Sequence, residues 1–198
     1  GGDLLYRWGN PSAYKSGTTL DKKLFGQHNA QWIAKGLKDE GKIMVFNNGV
    51  GRSGMVKYSS VEIFVPPIDS TTNQYVDNQG LAYDPDSSEW IYAADPKETF
   101  YSKTISGAHR LPNGNTLICS GNNGTIFEIN ANNEIVWEYI VPLADGVPST
   151  QGQTIFTGLN STFRCYRYGS TFPGLQNKNL TPGNYIELNP DTNLCATV

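Results

Sequence analysis

Few residues in this chain are suited to chemistry. There are two histidines, His28 and His109, and both stand near the start of a short strand-like run. Imidazole titrates near neutrality, so one ring can be a neutral nucleophile while another serves as acid or base. Arg52 lies in the loop Gly49-Val50-Gly51-Arg52-Ser53-Gly54. A guanidinium fork fits the oxygens of a tetrahedral oxyanion better than an ammonium does. Together these side chains allow a group transfer in which imidazole carries the group, a cation holds its oxygens and a proton donor meets the leaving atom. Tyr58 and Tyr101, each followed by serine, could line such a site and stack on an aromatic group, although core packing explains them as well. The histidines and Arg52 also have ordinary alternatives, as hydrogen-bonding structural residues and a solvated loop cation. Arg110, next to His109, is expected to point to the other side of its strand.

The elements that must hold these residues read as strands. Residues 4–8, 43–46, 60–65 and 89–92 are short runs rich in β-branched and aromatic side chains, bounded by Gly, Pro, Asn and Asp. Residues 108–111, 116–119, 125–129 and 134–139 follow the same plan more compactly. Pro112-Asn113-Gly114-Asn115 and Gly121-Asn122-Asn123-Gly124 supply the positive φ angles of hairpin turns. The one helical candidate, residues 20–25, is weak. The two meanders can be laid over one another, with Gln31-Trp32 against His109-Arg110 and residues 43–46 against 116–119. The first copy carries extra loop at 37–42 and 66–88.

A four-stranded meander repeated along a chain predicts an all-β fold, a β-propeller of four-stranded antiparallel blades. The expected organisation is a partial propeller over 1–168. It comprises the last strand of a preceding blade at 1–11, a blade at 27–95, a blade at 105–142 and a closing strand region at 150–168. An irregular tail follows at 169–198. About two full blades do not close a ring, so a preceding half of the protein or a second chain is expected to complete it. The alternative, an open antiparallel sheet, leaves edges prone to association. The tryptophans Trp8, Trp32, Trp90 and Trp137 are expected between blades.

Composition removes several function classes. A net charge of −3 argues against nucleic-acid binding, which needs a basic face. No basic run exceeds Lys22-Lys23, and no stretch approaches the roughly 20 apolar residues that span a bilayer. The glycine-rich loop lacks Walker or Rossmann spacing, and Asp84, Asp86 and Asp95 lack EF-hand spacing, so neither a cofactor nor a metal is expected. The chain opens on Gly1-Gly2-Asp3 without Met or signal peptide, as a processed protein or a fragment would. Of three cysteines, Cys119 is expected as a small core residue, and Cys165 and Cys195 either pair or stay free.

An ordered series of segments resembles the bacterial arylsulfotransferase-like proteins. These are residues 2–11, 26–33 (Gly-Gln-His-Asn-Ala-Gln-Trp-Ile), 44–49 (Met-Val-Phe-Asn-Asn-Gly), 58–61 and 106–117 (Ser-Gly-Ala-His-Arg-Leu-Pro-Asn-Gly-Asn-Thr-Leu). The resemblance extends from residue 1 to about residue 188. It implies a six-bladed propeller, secreted or periplasmic, that passes a sulfuryl group from an aryl sulfate to a phenolic acceptor through a histidine, without a nucleotide cofactor. In that pattern His28 and Arg52 match an anion-holding pair, and His109 stands where the nucleophile is sought, although many relatives have Gln there. Tyr58 and Tyr101 would then bind substrate. The competing reading is a non-catalytic extracellular propeller used for binding or assembly. A quinone-dependent dehydrogenase is disfavoured, because Trp-docking repeats and calcium ligands are not evident.

Overall fold

A computed structural model describes residues 2–76 and 80–191. Its frame is two four-stranded antiparallel sheets, and among the described residues the only helical elements are short 3-10 turns. In the first sheet β1 (His28–Trp32), β2 (Ile43–Asn47) and β3 (Ser60–Phe64) form a meander. The chain then makes a separate hairpin of β4 (Ile68–Asp69) and β5 (Gln74–Tyr75), and returns to the sheet with β6 (Trp90–Tyr92). The second sheet runs in plain sequence order through β7 (Gly107–Arg110), β8 (Thr116–Ser120), β9 (Thr125–Ile129) and β10 (Ile135–Ile140). A last small hairpin pairs β11 (Leu143–Ala144) with β12 (Val147–Pro148).

The strands form where side chains can alternate between two faces. In β2 and β3, Met44, Phe46, Val61 and Ile63 point to one side. Tyr92 joins them from β6, and Ala108, Ile118, Phe127 and Ile129 meet them from the second sheet. Phe100, on the connection between the sheets, packs edge-on against Phe46 and Phe127. This core between the sheets is tightly closed: Phe46, Ile63, Ile118 and Ile129 have no measurable exposure. Burial of such side chains contributes about 1.5–3 kcal/mol each. A second cluster of Leu24, Val45 and Phe64 lies on the other face of the first sheet, with Tyr6 and Trp8 packed against it.

Four expectations need correction. Residues 4–8 pair with no strand; Trp8 stacks on Phe64 at 4.0 Å and donates to Pro85 O, and Tyr6 stacks on Tyr75 at 5.0 Å. Aromatic packing therefore replaced the ladder that their composition suggested. The helical candidate at 20–25 is reduced to a 3-10 turn, Thr19–Asp21, with Thr18 and Asp21 forming a capping box. The expected closing strand region at 150–168 forms only an isolated bridge, Thr150 to Leu188. Trp32 and Trp137 stay exposed, the latter on an edge strand exposed along its whole length. The two sheets do not by themselves close a ring. Cys195, offered as a partner for Cys165, lies outside the described residues.

Candidate functional site

β1 and β7 are the edge strands of their sheets, and they approach each other closely. A Cβ on Gly107 would come within 2.2 Å of Asn29 Oδ1, so a larger residue there would displace the Asn29 side chain. His28 opens β1 and His109 sits inside β7, so both histidines occupy this shared margin. A register shift between His28 and Gln31, with Asn29 at φ 54°, marks a bulge beside the site. Bulges re-aim side chains, and Asn tolerates the left-handed conformation they need. Asn29 Oδ1 then accepts from Ala108 N at 3.1 Å, fastening the first sheet to the second.

His28 is held through Nδ1, which lies 2.7 Å from Asn48 Oδ1 and 3.1 Å from Gly26 O. Both neighbours are acceptors, provided the Asn48 amide is oriented as its other contacts require. Those contacts settle it: Asn48 Nδ2 donates to Ser102 O at 2.7 Å and Ile105 O at 3.0 Å. Nδ1 therefore carries a proton. Asn48 itself is fully buried. The following residue must be glycine, because Gly49 has φ 81° and a Cβ there would lie 2.0 Å from Tyr58 O. Below this loop a buried hydroxyl web crosses between the sheets. Ser59 Oγ donates to Asn48 O, Ser106 Oγ donates to Ser102 Oγ, and Gly121 N donates to Ser106 Oγ. The web holds Ile105 and Ser106 at φ 48° and 87°, a conformation costly for a β-branched residue.

His109 is held in the same manner by a different amide. Its Nδ1 lies 3.0 Å from Gln31 Oε1, while Gln31 Nε2 donates to Ala108 O at 2.6 Å and Asn29 Oδ1 at 3.2 Å. Again Nδ1 holds the proton. Here, though, Nε2 is buried without a partner, and the Tyr166 ring lies over the imidazole at 4.5 Å between centroids. Burial, with a smaller push from the charge of Arg164, holds the His109 pKa down at about 4, so the ring is neutral at pH 7. The Nε of Arg164 is likewise buried and unpartnered.

Arg52 belongs to the His28 side. Gly49 N and Val50 N both donate to Phe25 O, tying its loop to the chain entering β1. The guanidinium lies over Tyr58 at 4.3 Å and Phe25 at 5.2 Å, and Nη2 donates to Ser60 Oγ at 3.3 Å. Its Nε has no partner. Tyr58 also receives Lys97 at 5.0 Å and borders an open cleft of about 530 Å³ with Met55, Pro96 and Lys97. A larger cavity of about 650 Å³ lies by β10, among Thr125, Tyr139, Gln151 and Asn160, and neither histidine lines it. Tyr101 is half-buried on the connection to β7, and among the described residues no hydrogen bond or ring contact joins it to either histidine. Arg110 does point away from His109: it pairs with Asp39 at 2.6 Å, donates to Thr116 Oγ1 and covers the Trp90 ring at 4.5 Å.

Sequence reasoning missed Asn48, Gln31, Tyr166 and Arg164. Asn48 did leave a trace, since a hairpin turn needs one asparagine and Asn47-Asn48-Gly49 has two. Tyr166 and Arg164 left none, because their role depends on contacts with distant strands. Among the described residues no group of three or more His, Cys, Asp or Glu is arranged to hold a metal ion, and no helix is long and apolar enough to cross a membrane.

The family model described as Arylsulfotransferase (ASST) matches residues 11–141, about two-thirds of the chain. The matched span contains both histidines, both amides that hold them and Arg52, and it ends before Arg164 and Tyr166. No curated protein and no solved structure matches the chain.

Proposed function

The chain belongs to the arylsulfotransferase family, and on that premise we propose that it transfers a sulfuryl group from an aryl sulfate to a phenolic acceptor through a histidine. One observation carries the reading: His28 and His109 both have Nδ1 locked as donor by a carboxamide oxygen, and Nε2 of His109 is left without a hydrogen-bond partner. A histidine nucleophile needs that tautomer, and fixing it beforehand removes a reorganisation step from the reaction.

In this reading Nε2 of neutral His109 attacks sulfur, and the phenoxide leaves. Arg164 stands beside it as a cation for the sulfuryl oxygens, and His28 with Arg52 holds the donor. Tyr58, next to Arg52, offers a ring to an aromatic substrate, and Tyr101 is the weaker candidate. A phenol, giving its proton to Nε2 of His28, then attacks the sulfated imidazole, and neutral His109 is restored. The steps need no metal or nucleotide. The two sheets, stacked face to face, support a further part of the proposal: they are neighbouring blades of a six-bladed propeller, completed by more of the same protein or by a second chain. A secreted or periplasmic location belongs to the same reading.

A second reading has its own support. The Tyr166 ring over His109 and the burial of its Nε2 suit a non-catalytic propeller used for binding or assembly. Turnover separates the two. With a chromogenic aryl sulfate and a phenol, the parent protein should transfer sulfate, and His109→Ala should lose about 10³-fold or more in kcat. A well-folded parent inactive with several donors and acceptors would favour the binding reading.

A further inference from the structure

The face of the second sheet that carries His109 is covered by residues 158–168, which cross it without joining its ladder. Gly158 N donates to Asn122 O, Thr162 N to Gly121 O and Ser106 N to Phe163 O, which pins the front of this strap. Beyond that point its side chains meet the sheet in order. His109, Leu117 and Glu128 form one cross-strand row, and Gly107, Cys119 and Ile126 form the next. Tyr166 lies on His109, Arg167 pairs with Glu128 and covers Trp137, and Cys165 meets Cys119. Cys119 is only 1% exposed, and its Sγ is 3.6 Å from Thr162 O on the strap. Cys165, three residues beyond Thr162 on the strap, lies beside this thiol and is itself only partly covered. Both thiols are free in this structure.

We propose that Cys119 and Cys165 are the two halves of a reversible disulfide that clamps the 158–168 strap over His109. Oxidation requires a disulfide reagent, either a small molecule or a thiol oxidoreductase. The Cys165 thiolate attacks one reagent sulfur and expels a thiolate. Cys119, losing its proton, then attacks the Cys165 sulfur and expels the second. Two protein thiols become one disulfide, and the reagent takes up the two electrons and two protons as two thiols. The order of attack follows the environments. Contact with Cys165 and burial push the Cys119 thiol up, while contact with Cys119 and the nearby Arg167 outweigh burial and hold Cys165 below the usual thiol range. The less buried, more acidic sulfur is therefore the one a reagent meets first. Control of sulfate transfer by the clamp rests on His109 being the nucleophile; the bond itself does not.

The test uses the full chain treated with oxidised glutathione or with dithiothreitol, alkylated and mapped by proteolysis without reduction. The expected result is one linked peptide pair joining Cys119 to Cys165, with Cys195 alkylated. The oxidised form should melt roughly 5–10 °C above the reduced form, a difference absent in Cys165→Ser and retained in Cys195→Ser. Diethylpyrocarbonate should modify His109 about tenfold more slowly in the oxidised form, with His28 as the internal reference. A Cys165–Cys195 link, or three alkylated thiols after oxidation, would overturn the bond. A Cys119–Cys165 link that leaves His109 reactivity unchanged would overturn the clamp. If Cys165→Ser does not fold, the oxidised and reduced parent forms carry the comparison alone. None of these readouts depends on sulfate transfer, so they stand or fall apart from the activity.

Discussion

The margins of the two sheets solve one problem twice and finish it differently. At the His28 margin a buried asparagine fixes the imidazole, and among the described residues no aromatic ring stacks on it. At the His109 margin a glutamine from the neighbouring sheet fixes the imidazole, and Tyr166 closes over it. Locking a tautomer takes one well-anchored amide, and the same lock serves an open or a closed ring. What separates the two histidines is the strap. It desolvates His109 and brings Arg164 beside it, so the closed ring resists protonation.

The largest expected difference between the margins is in stability. Asn48→Ala leaves Ser102 O and Ile105 O without their donor in a fully buried site, and should cost about 3 kcal/mol by urea denaturation. Gln31→Ala should cost about 1 kcal/mol, because that amide is only half-buried. Equal losses would break the distinction between a buried lock and a surface one.

An ion pair anchors the second margin to the first sheet, and acid should loosen it. Burial pushes Asp39 upward, but hydrogen bonds from Lys42 and Arg110 and their charges outweigh it, so its carboxyl stays below the usual range. A depressed carboxylate stabilises the fold above its unfolded pKa, roughly 3.9, and that stabilisation is lost as pH falls through the folded value. Arg110→Ala should therefore cost about 2 kcal/mol at pH 7, since it leaves the half-buried Asp39 carboxylate with Lys42 as its remaining charged partner. The gap from the parent should narrow below about pH 4. A gap that does not change with pH would mean that packing on Trp90, not the charge, is what Arg110 contributes.

His109 titrates in a different window. Its folded pKa of about 4 lies below the unfolded value. The stability it contributes is thus present above about pH 6.5 and declines as pH falls toward the folded value. Histidine NMR should show the His109 ring neutral at pH 5.5. The smallest effect follows from Tyr166→Ala, which should raise that pKa by about one unit while changing stability little. An unchanged pKa would show that the strap backbone and Arg164, rather than the Tyr166 ring, isolate the imidazole.

Much of the frame was legible in the sequence because strand periodicity and Asn-Gly turns are local. The register that set Gln31-Trp32 against His109-Arg110 agrees with the structure, where Trp32 faces Ile43 and Arg110 faces Thr116. Residues 4–8 misled because an aromatic-rich pentapeptide satisfies the pattern of a strand, yet Phe64 and Tyr75 offered its rings better partners. Both histidines were visible as residue types. Their locks were not, since Asn48 lies beyond β2 from His28 and Gln31 lies a whole sheet away from His109. The strap was least legible of all. Its contacts with His109, Cys119 and Glu128 join segments that no short-range pattern connects, and the segment has no ladder to announce it.

The most direct test of the account is to find which histidine takes the sulfuryl group. Reduced protein would be exposed to an aryl sulfate without acceptor, quenched, and mapped by mass spectrometry for the increment of one SO3. The account predicts the label on His109, lost when a phenol is added and absent in His109→Ala. Label on His28 alone, or on neither ring while turnover continues, would contradict it.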